Sequence, residues 1–264
     1  MKNSDLVIGL GANGAFTTSE SHAAPRNRPG ERCTVLAPEG ERWFKYQKVE
    51  EAFAIGQVAM ISALIDNADV DAAQATTTAI LRGDGDFTAS QFGGSGRDAS
   101  SAVYPDAWVS IDANGTGIGQ TRYIKHNRGS ADYLTLDHNW DTALNTSSDY
   151  VTYSINYVSL VDTDDVSADS CAIKGVAVSA VTDEQWAWFQ IKGFCPTVRF
   201  IGSSDAAVRG EPITGSATAG AAKGQNATLA VIDINHAFGI AMHAYAEADA
   251  AAVGVAAELD CRYA

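Results

Sequence analysis

The residues that look most like reaction chemistry are Gly9-Leu10-Gly11-Ala12-Asn13-Gly14, a literal G-x-G-x-x-G behind the apolar Asp5-Leu6-Val7-Ile8. In a dinucleotide-binding fold such glycines let a pyrophosphate approach the backbone where a helix begins. Here the next stretch, FTTSESHAAPRNRPG, has two prolines and no amphipathic stripe, and no strand ending in Asp or Glu follows at the required distance. A nucleotide cofactor is therefore not expected. His22, His126, His138, His236 and His243 show no H-E-x-x-H arrangement, and the cysteines at 33, 171, 195 and 261 form no C-x-x-C pair. No zinc site is expected from such spacings. The acidic clusters Asp66/Asp69/Asp71, Asp84/Asp86 and Asp162/Asp164/Asp165 lack the form of a calcium loop.

Nucleophile chemistry has no better footing. There is no G-x-S-x-G elbow, and Gly220-Ala221-Ala222-Lys223 lacks the hydroxyl that must follow the lysine of a phosphate loop. A carboxylate pair assembled across strands leaves no trace in spacing, and nothing singles out two of the thirty-two acidic residues. The expectation is a protein that is not an enzyme and uses no cofactor or metal.

The residues suited to binding are of two kinds. Arg26, Arg28 and Arg32 form a basic knot, RNRPGER, in an acidic chain; they suit docking on an acidic surface and equally suit a solvated loop. Trp186 and Trp188, with Phe189, are candidates for partner contact or for a carbohydrate platform. Aromatic residues on both faces of one strand also fit a core on one side and an interface on the other.

The elements that must carry these residues read as strands. In Val253, Val255, Ala257, Leu259 and Cys261 the apolar residues fall on every second position, which predicts a strand with one buried face. Trp186–Ile191 and Val176–Val178 flank the polar turn Thr182-Asp183-Glu184-Gln185 and predict a hairpin. Residues 150–158, YVTYSINYV, predict a strand with Val151, Tyr153, Ile155 and Tyr157 on one face and Thr152, Ser154 and Asn156 on the other. Residues 42–49 open regular structure, residues 52–65 predict a buried strand pair around Gly56, and 66–81 is the one candidate helix or long turn. Strands at 107–112, 121–126 and 132–138 are joined by turn sequences. The predicted fold is all-β: a β-sandwich or barrel-like domain from 41–75 plus 161–264, a small loop-rich β domain inserted at 76–160, and an extended N-terminal arm over 1–40.

At 264 residues the chain can build a core without disulfides, so its scattered cysteines are expected to be buried thiols, although four would permit two bridges. Eighteen basic against thirty-two acidic side chains give a formal charge of −14, a field that repels nucleic acid and anionic bilayers. No signal peptide and no apolar run of membrane-spanning length is evident.

The order of C-terminal motifs carries a resemblance. It consists of W-x-W-F-Q-x-x-G (Trp186, Trp188, Phe189, Gln190, Gly193), then Gly210-Glu211-Pro212 with Ser216, Thr218 and Gly220, then FGIAM (Phe238–Met242) and a closing strand. This series resembles the capsid decoration, or cement, proteins of tailed bacteriophages. FTASQFGG (87–94), GTGIGQTRYIKHN (115–127) and LTLDHNWDTALNTSSDYV (134–151) are similar to a companion segment in such proteins, and the resemblance spans about 43–262. It implies a non-enzymatic virion protein, usually a homotrimer, on the outer capsid surface. Its partner there would be the major capsid protein, whose shell it reinforces. The alternatives are a tail, neck or fibre component, or a glycan-binding surface module using Trp186 or Trp188.

Overall fold

A computed structural model of the chain describes residues 6–8, 21–23, 25–71, 73–82, 107–127, 133–161, 173–201, 206–216, 218–224, 237–245 and 253–261. The described residues are all-β, without a helix. The chain divides into two compact units: unit 1 is Met1–Ile61 with Val158–Ala264, and unit 2 is Ser62–Tyr157. The inserted unit thus begins at 62, fourteen residues before the expected 76, because the division falls inside two strands. These are β4 (Val58–Asp69) and β9 (Asp149–Leu160).

Before β4 the chain forms β1 (Leu6–Ile8), β2 (Arg32–Ala37) and β3 (Gly40–Val49). Between β4 and β9 lie β5 (Ile80–Arg82), β6 (Ala107–Ala113), β7 (Thr121–Asn127) and β8 (Tyr133–Leu136). After β9 come β10 (Ile173–Ala177), β11 (Trp186–Phe200), β12 (Pro212–Gly215), β13 (Ala222–Gly224), β14 (Gly239–Ala241) and β15 (Val253–Asp260).

Unit 1 contains two closed rings of strands that share β11. The C-terminal half of β11 pairs with β15, β15 with β14, β14 with β12, β12 with β13, and β13 returns to β11 through Phe200 and Ala222. Inside are Val198, Phe200, Ile213, Phe238, Val255 and Leu259. The N-terminal half of β11 pairs with β3 and β10, β10 with β4, and β4 and β3 both with β9. Its core holds Val49, Phe53, Ala59, Val158, Val181 and Phe189. Closure removes the free edges that an open sheet would expose.

Where β11 passes from one ring to the other, its register against β3 shifts between Gln190 and Lys192. The Gln190 amide fills that bulge, donating to the carbonyls of Lys192 (3.2 Å), Gly193 (3.2 Å) and Phe194 (2.9 Å). Gly193 has φ +87°, and a Cβ there would lie 2.1 Å from the Glu41 carbonyl oxygen. The Q-x-x-G spacing is thus a bulge requirement.

In unit 2, β9 pairs with β6, β6 with β7, β7 with β8 and β8 with β5. The Asp71 N–H to Arg82 carbonyl bond (3.0 Å) brings the chain after β4 back to β5. Val109, Ile111, Ile124, Leu134, Trp140 and Tyr150 belong to its core.

Each of these three cores contains one short antiparallel bridge: Phe53 with Val181, Gln74 with Leu144, and Ala207 with Tyr245. All six bridging residues are buried, and each follows an exposed alanine: Ala52, Ala180, Ala73, Ala143, Ala206 and Ala244. Five of them run directly into a β-turn closed by an N–H of the fourth residue to the carbonyl of the first, as in Gln57 to Ala54 and Glu211 to Val208. In several turns the fourth side chain reaches back to the first N–H: Gln57 Oε1 to Ala54 (2.5 Å), Glu211 Oε2 to Val208 (2.6 Å), Ser148 Oγ to Asn145 (3.3 Å). That explains the polar residue closing each turn.

Several expectations are corrected. No helix forms over the described part of 66–81: β4 extends to Asp69 and the turn Ala75–Thr78 follows. The strand pair around Gly56 is not a hairpin, since β4 pairs with β10 and β9 while Phe53 meets Val181. Residues 32–37 are not arm but β2, paired along its length with β3. The expected strand over 150–158 forms within β9, where Thr152, Ser154 and Asn156 are buried and Ile155 on the other face is exposed, with Tyr157 buried as well.

Candidate interaction surface

The basic N-terminal segment is fastened to its own sheet. The Arg26 N–H donates to the Tyr46 hydroxyl (3.2 Å), the Gly30 N–H to the Tyr46 carbonyl (2.8 Å), and the Tyr46 N–H to the Glu31 carbonyl (2.9 Å). Upstream, His22 and Trp186 exchange two backbone bonds of 2.9 and 2.8 Å, and Ser21 Oγ donates to Gln185 Oε1 at 2.5 Å. The turn Arg28–Glu31 repeats the device seen elsewhere, with the Arg28 N–H on Glu31 Oε2 (3.0 Å) and Gly30 at φ +73°. Arg26, Arg28 and Arg32 are all exposed.

Beneath this segment lie the tryptophans. Tyr46 stacks on Trp186 with ring centroids 5.7 Å apart at 17°, and tilts against Trp188 at 5.1 Å. Both indoles are interior, at 4% and 5% exposure, in a cluster with Cys33, Val35 and Phe44. The structure therefore brings the two predicted sets together in different roles: the arginines face solvent, and Trp186 and Trp188 pack the layer that holds their segment. In this chain neither indole offers a face to a sugar. Burial raises the Tyr46 phenol above its ordinary range, and the Arg26 N–H and charge oppose that rise.

Further exposed apolar residues stand at turn tips: Ile55 is 55% exposed, Ile118 60% and Val208 65%. Ile240 and Met242 are exposed on β14 and just beyond it. Sequence reasoning passed over them because isolated apolar residues near glycines carry no periodic signal. Only the turn geometry shows that they point outward.

The buried ionisable groups are structural. Lys48, interior, pairs with Glu184, whose backbone sits at φ +58° at the turn position that is glycine in Ala54–Gln57 and Val208–Glu211. Lys174 is pushed below the usual lysine range, first by burial and then by the Arg32 charge. Cys33, Cys195 and Cys261 are free, buried thiols. Burial raises Cys33 and Cys195 to about 11 and pushes Cys261 higher still. Cys171 lies outside the described residues, as do Gly9–Gly14, His236, Asp84/Asp86 and Asp162/Asp164/Asp165. Among the described residues no group of three or more His, Cys, Asp or Glu is placed to hold a metal ion. No helix there is long and apolar enough to cross a membrane.

No family model matches the chain, and no curated protein or solved structure matches it.

Proposed function

We propose that the chain is a non-enzymatic virion protein that binds the outer surface of a phage capsid and cements the shell. Its partner is the major capsid protein, and its working form is a homotrimer. The observation that carries this reading is the Arg26–Arg32 segment: three exposed arginines on a backbone fastened to Tyr46 at Arg26, Gly30 and Glu31, on a chain of formal charge −14. A preordered basic patch meets an acidic protein surface with little ordering entropy to lose. The apolar turn tips Ile55, Ile118 and Val208 would fill small pockets beside such contacts. The resemblance of the C-terminal motif series to decoration proteins supports the same conclusion.

Binding of the purified protein to expanded, DNA-free heads tests it. Association that weakens with salt and is lost on replacing Arg26, Arg28 and Arg32 together by glutamate supports the reading. No association with heads, or no density outside the shell in electron microscopy of virions, overturns it. Substitution is preferable to deleting residues 1–40, because deletion removes β2 and uncovers β3.

A further inference from the structure

The outward face of unit 2 carries rings where a one-sided sheet is ordinarily polar. Trp108 on β6 lies directly opposite Tyr153 on β9 and Tyr123 on β7. Directly opposed residues share a face, while the alternate residues Ala107, Val109 and Ile111 enter the core. Three rings therefore form one row across three adjacent strands, each partly exposed. Their positions are fixed without a ligand. Trp108 and Tyr123 pack edge to face, 5.3 Å apart at 72°, and Tyr153 stands across from Trp108 on the neighbouring strand. The adjoining row is Val151, Ser110 and Thr121, with the Ser110 and Thr121 hydroxyls 3.1 Å apart.

Size and charge identify the occupant. Strands about 4.8 Å apart and rows about 7 Å apart give the two rows a footprint on the order of 100 Å². A stable protein interface needs about 800 Å² per partner. One or two sugar rings cover the smaller area. The rows contain no charged side chain, and the acidic chain around them repels anions. Ring faces bordered by hydroxyls match a ligand with apolar C–H faces and hydroxyl edges. Because the Trp108 and Tyr123 planes stand at 72°, a sugar lying flat on one ring meets the edge of the other. We propose that the Tyr153–Trp108–Tyr123 row is a binding site for a neutral oligosaccharide. It is distinct from the alternative platform at Trp186 and Trp188, and it stands whether or not the chain coats a capsid.

The test presents the full chain with maltohexaose, cellohexaose, chitohexaose and mannohexaose, alongside an anionic hexagalacturonate, and follows tryptophan fluorescence and backbone amide shifts. The expected result is binding of at least one neutral hexamer, with shifts centred on residues 108, 110, 121, 123 and 153. Loss of one stacked ring in Trp108→Ala or Tyr123→Ala weakens binding about tenfold, while Leu36→Ala in unit 1 leaves it unchanged. Tyr153→Phe keeps the packing and removes only the hydroxyl, so a few-fold loss there serves where the alanine variants do not fold. Three results overturn the proposal: no binding of any neutral hexamer at millimolar concentration, amide shifts elsewhere, or a dimer in sedimentation that Trp108→Ala abolishes.

Discussion

Units 1 and 2 use the same turn-and-bridge device but close their cores in different ways. In unit 1 the N-terminal half of β11 is covered on both faces, with Ala187 and Phe189 in the core that holds Phe53 and with Trp186 and Trp188 packed against Tyr46, so Trp186 to Ile191 are buried without a break. In unit 2 the central strands serve one core, and β6 alternates between buried and partly exposed positions. A strand covered on both faces concentrates apolar side chains and leaves little surface for recognition. The one-sided ring must be completed by polar bonds in its loops, and it keeps a face for something else.

Those polar bonds centre on Arg122 and Gln120. The buried Arg122 guanidinium donates to the carbonyls of Asn139 and Thr121 (both 2.9 Å) and to Asp141 Oδ2 (2.9 Å), and lies over the Trp140 ring at 5.3 Å. Gln120 Oε1 accepts from the Asp141 and Thr142 N–H groups at 2.6 and 3.0 Å. The loop from Asp137 to Ser148 is thus folded around two side chains.

The largest effect is expected in unit 1. Phe189 is fully buried and meets Phe53 edge to face at 5.2 Å. Phe189→Ala should cost about 3–5 kcal/mol in urea denaturation through lost burial and the cavity it leaves. A cost under about 1 kcal/mol would mean that the shared strand is not the keystone of unit 1. The matching test in unit 2 is Arg122→Ala, which strands several carbonyls and should cost about 3 kcal/mol. Hydrogen exchange should then show protection lost over 137–148 while β11 stays protected. Uniform loss across both units would break the contrast.

How much of this was legible differs strand by strand. β15 was readable because it serves one core: Val255, Ala257 and Leu259 are buried, and Gly254 and Glu258 are exposed. β9 was readable as a strand but not in its facing. Tyr150 enters the core and fixes the parity, which turns the small polar residues inward and Ile155 outward. Alternation gives a period, not a sign, when Tyr, Val and Ile compete with Thr and Ser for a small barrel. The alanine-led bridge went unseen because only the alanine and a closing polar residue recur, over about seven residues, with Phe, Gln, Leu, Val, Ala and Tyr all acceptable between. The tryptophans were visible as a cluster, but their burial follows from Tyr46 of β3 and from Cys33 and Val35 of β2 packing on that face, long-range contacts absent from local pattern.

Alkaline pH should also act on unit 1 through its shared strand. Cys195 sits in β11 with its thiol raised by burial from 9.0 to about 11. Between those values the unfolded chain has lost the proton and the folded chain keeps it, so stability falls as pH rises. The loss from this group is about 2–3 kcal/mol across pH 9 to 11, and Cys195→Ala should flatten the slope. Lys174, shifted downward, opposes it, because its folded form sheds a proton before the unfolded form does. An unchanged slope in Cys195→Ala would assign the effect elsewhere.

The smallest effect concerns Glu184, which occupies the turn position that is glycine in Ala54–Gln57 and Val208–Glu211. Its left-handed backbone costs about 1 kcal/mol relative to glycine, yet its carboxylate is the partner of the interior Lys48. Glu184→Ala keeps the strain and removes the pair; Glu184→Gly removes both. Both should be less stable than the parent, with the glycine variant about 1 kcal/mol above the alanine variant. That difference isolates the backbone cost from the ion pair. If the glycine variant instead exceeds the parent, Lys48 finds water without Glu184, and the pair contributes less than the turn geometry it distorts.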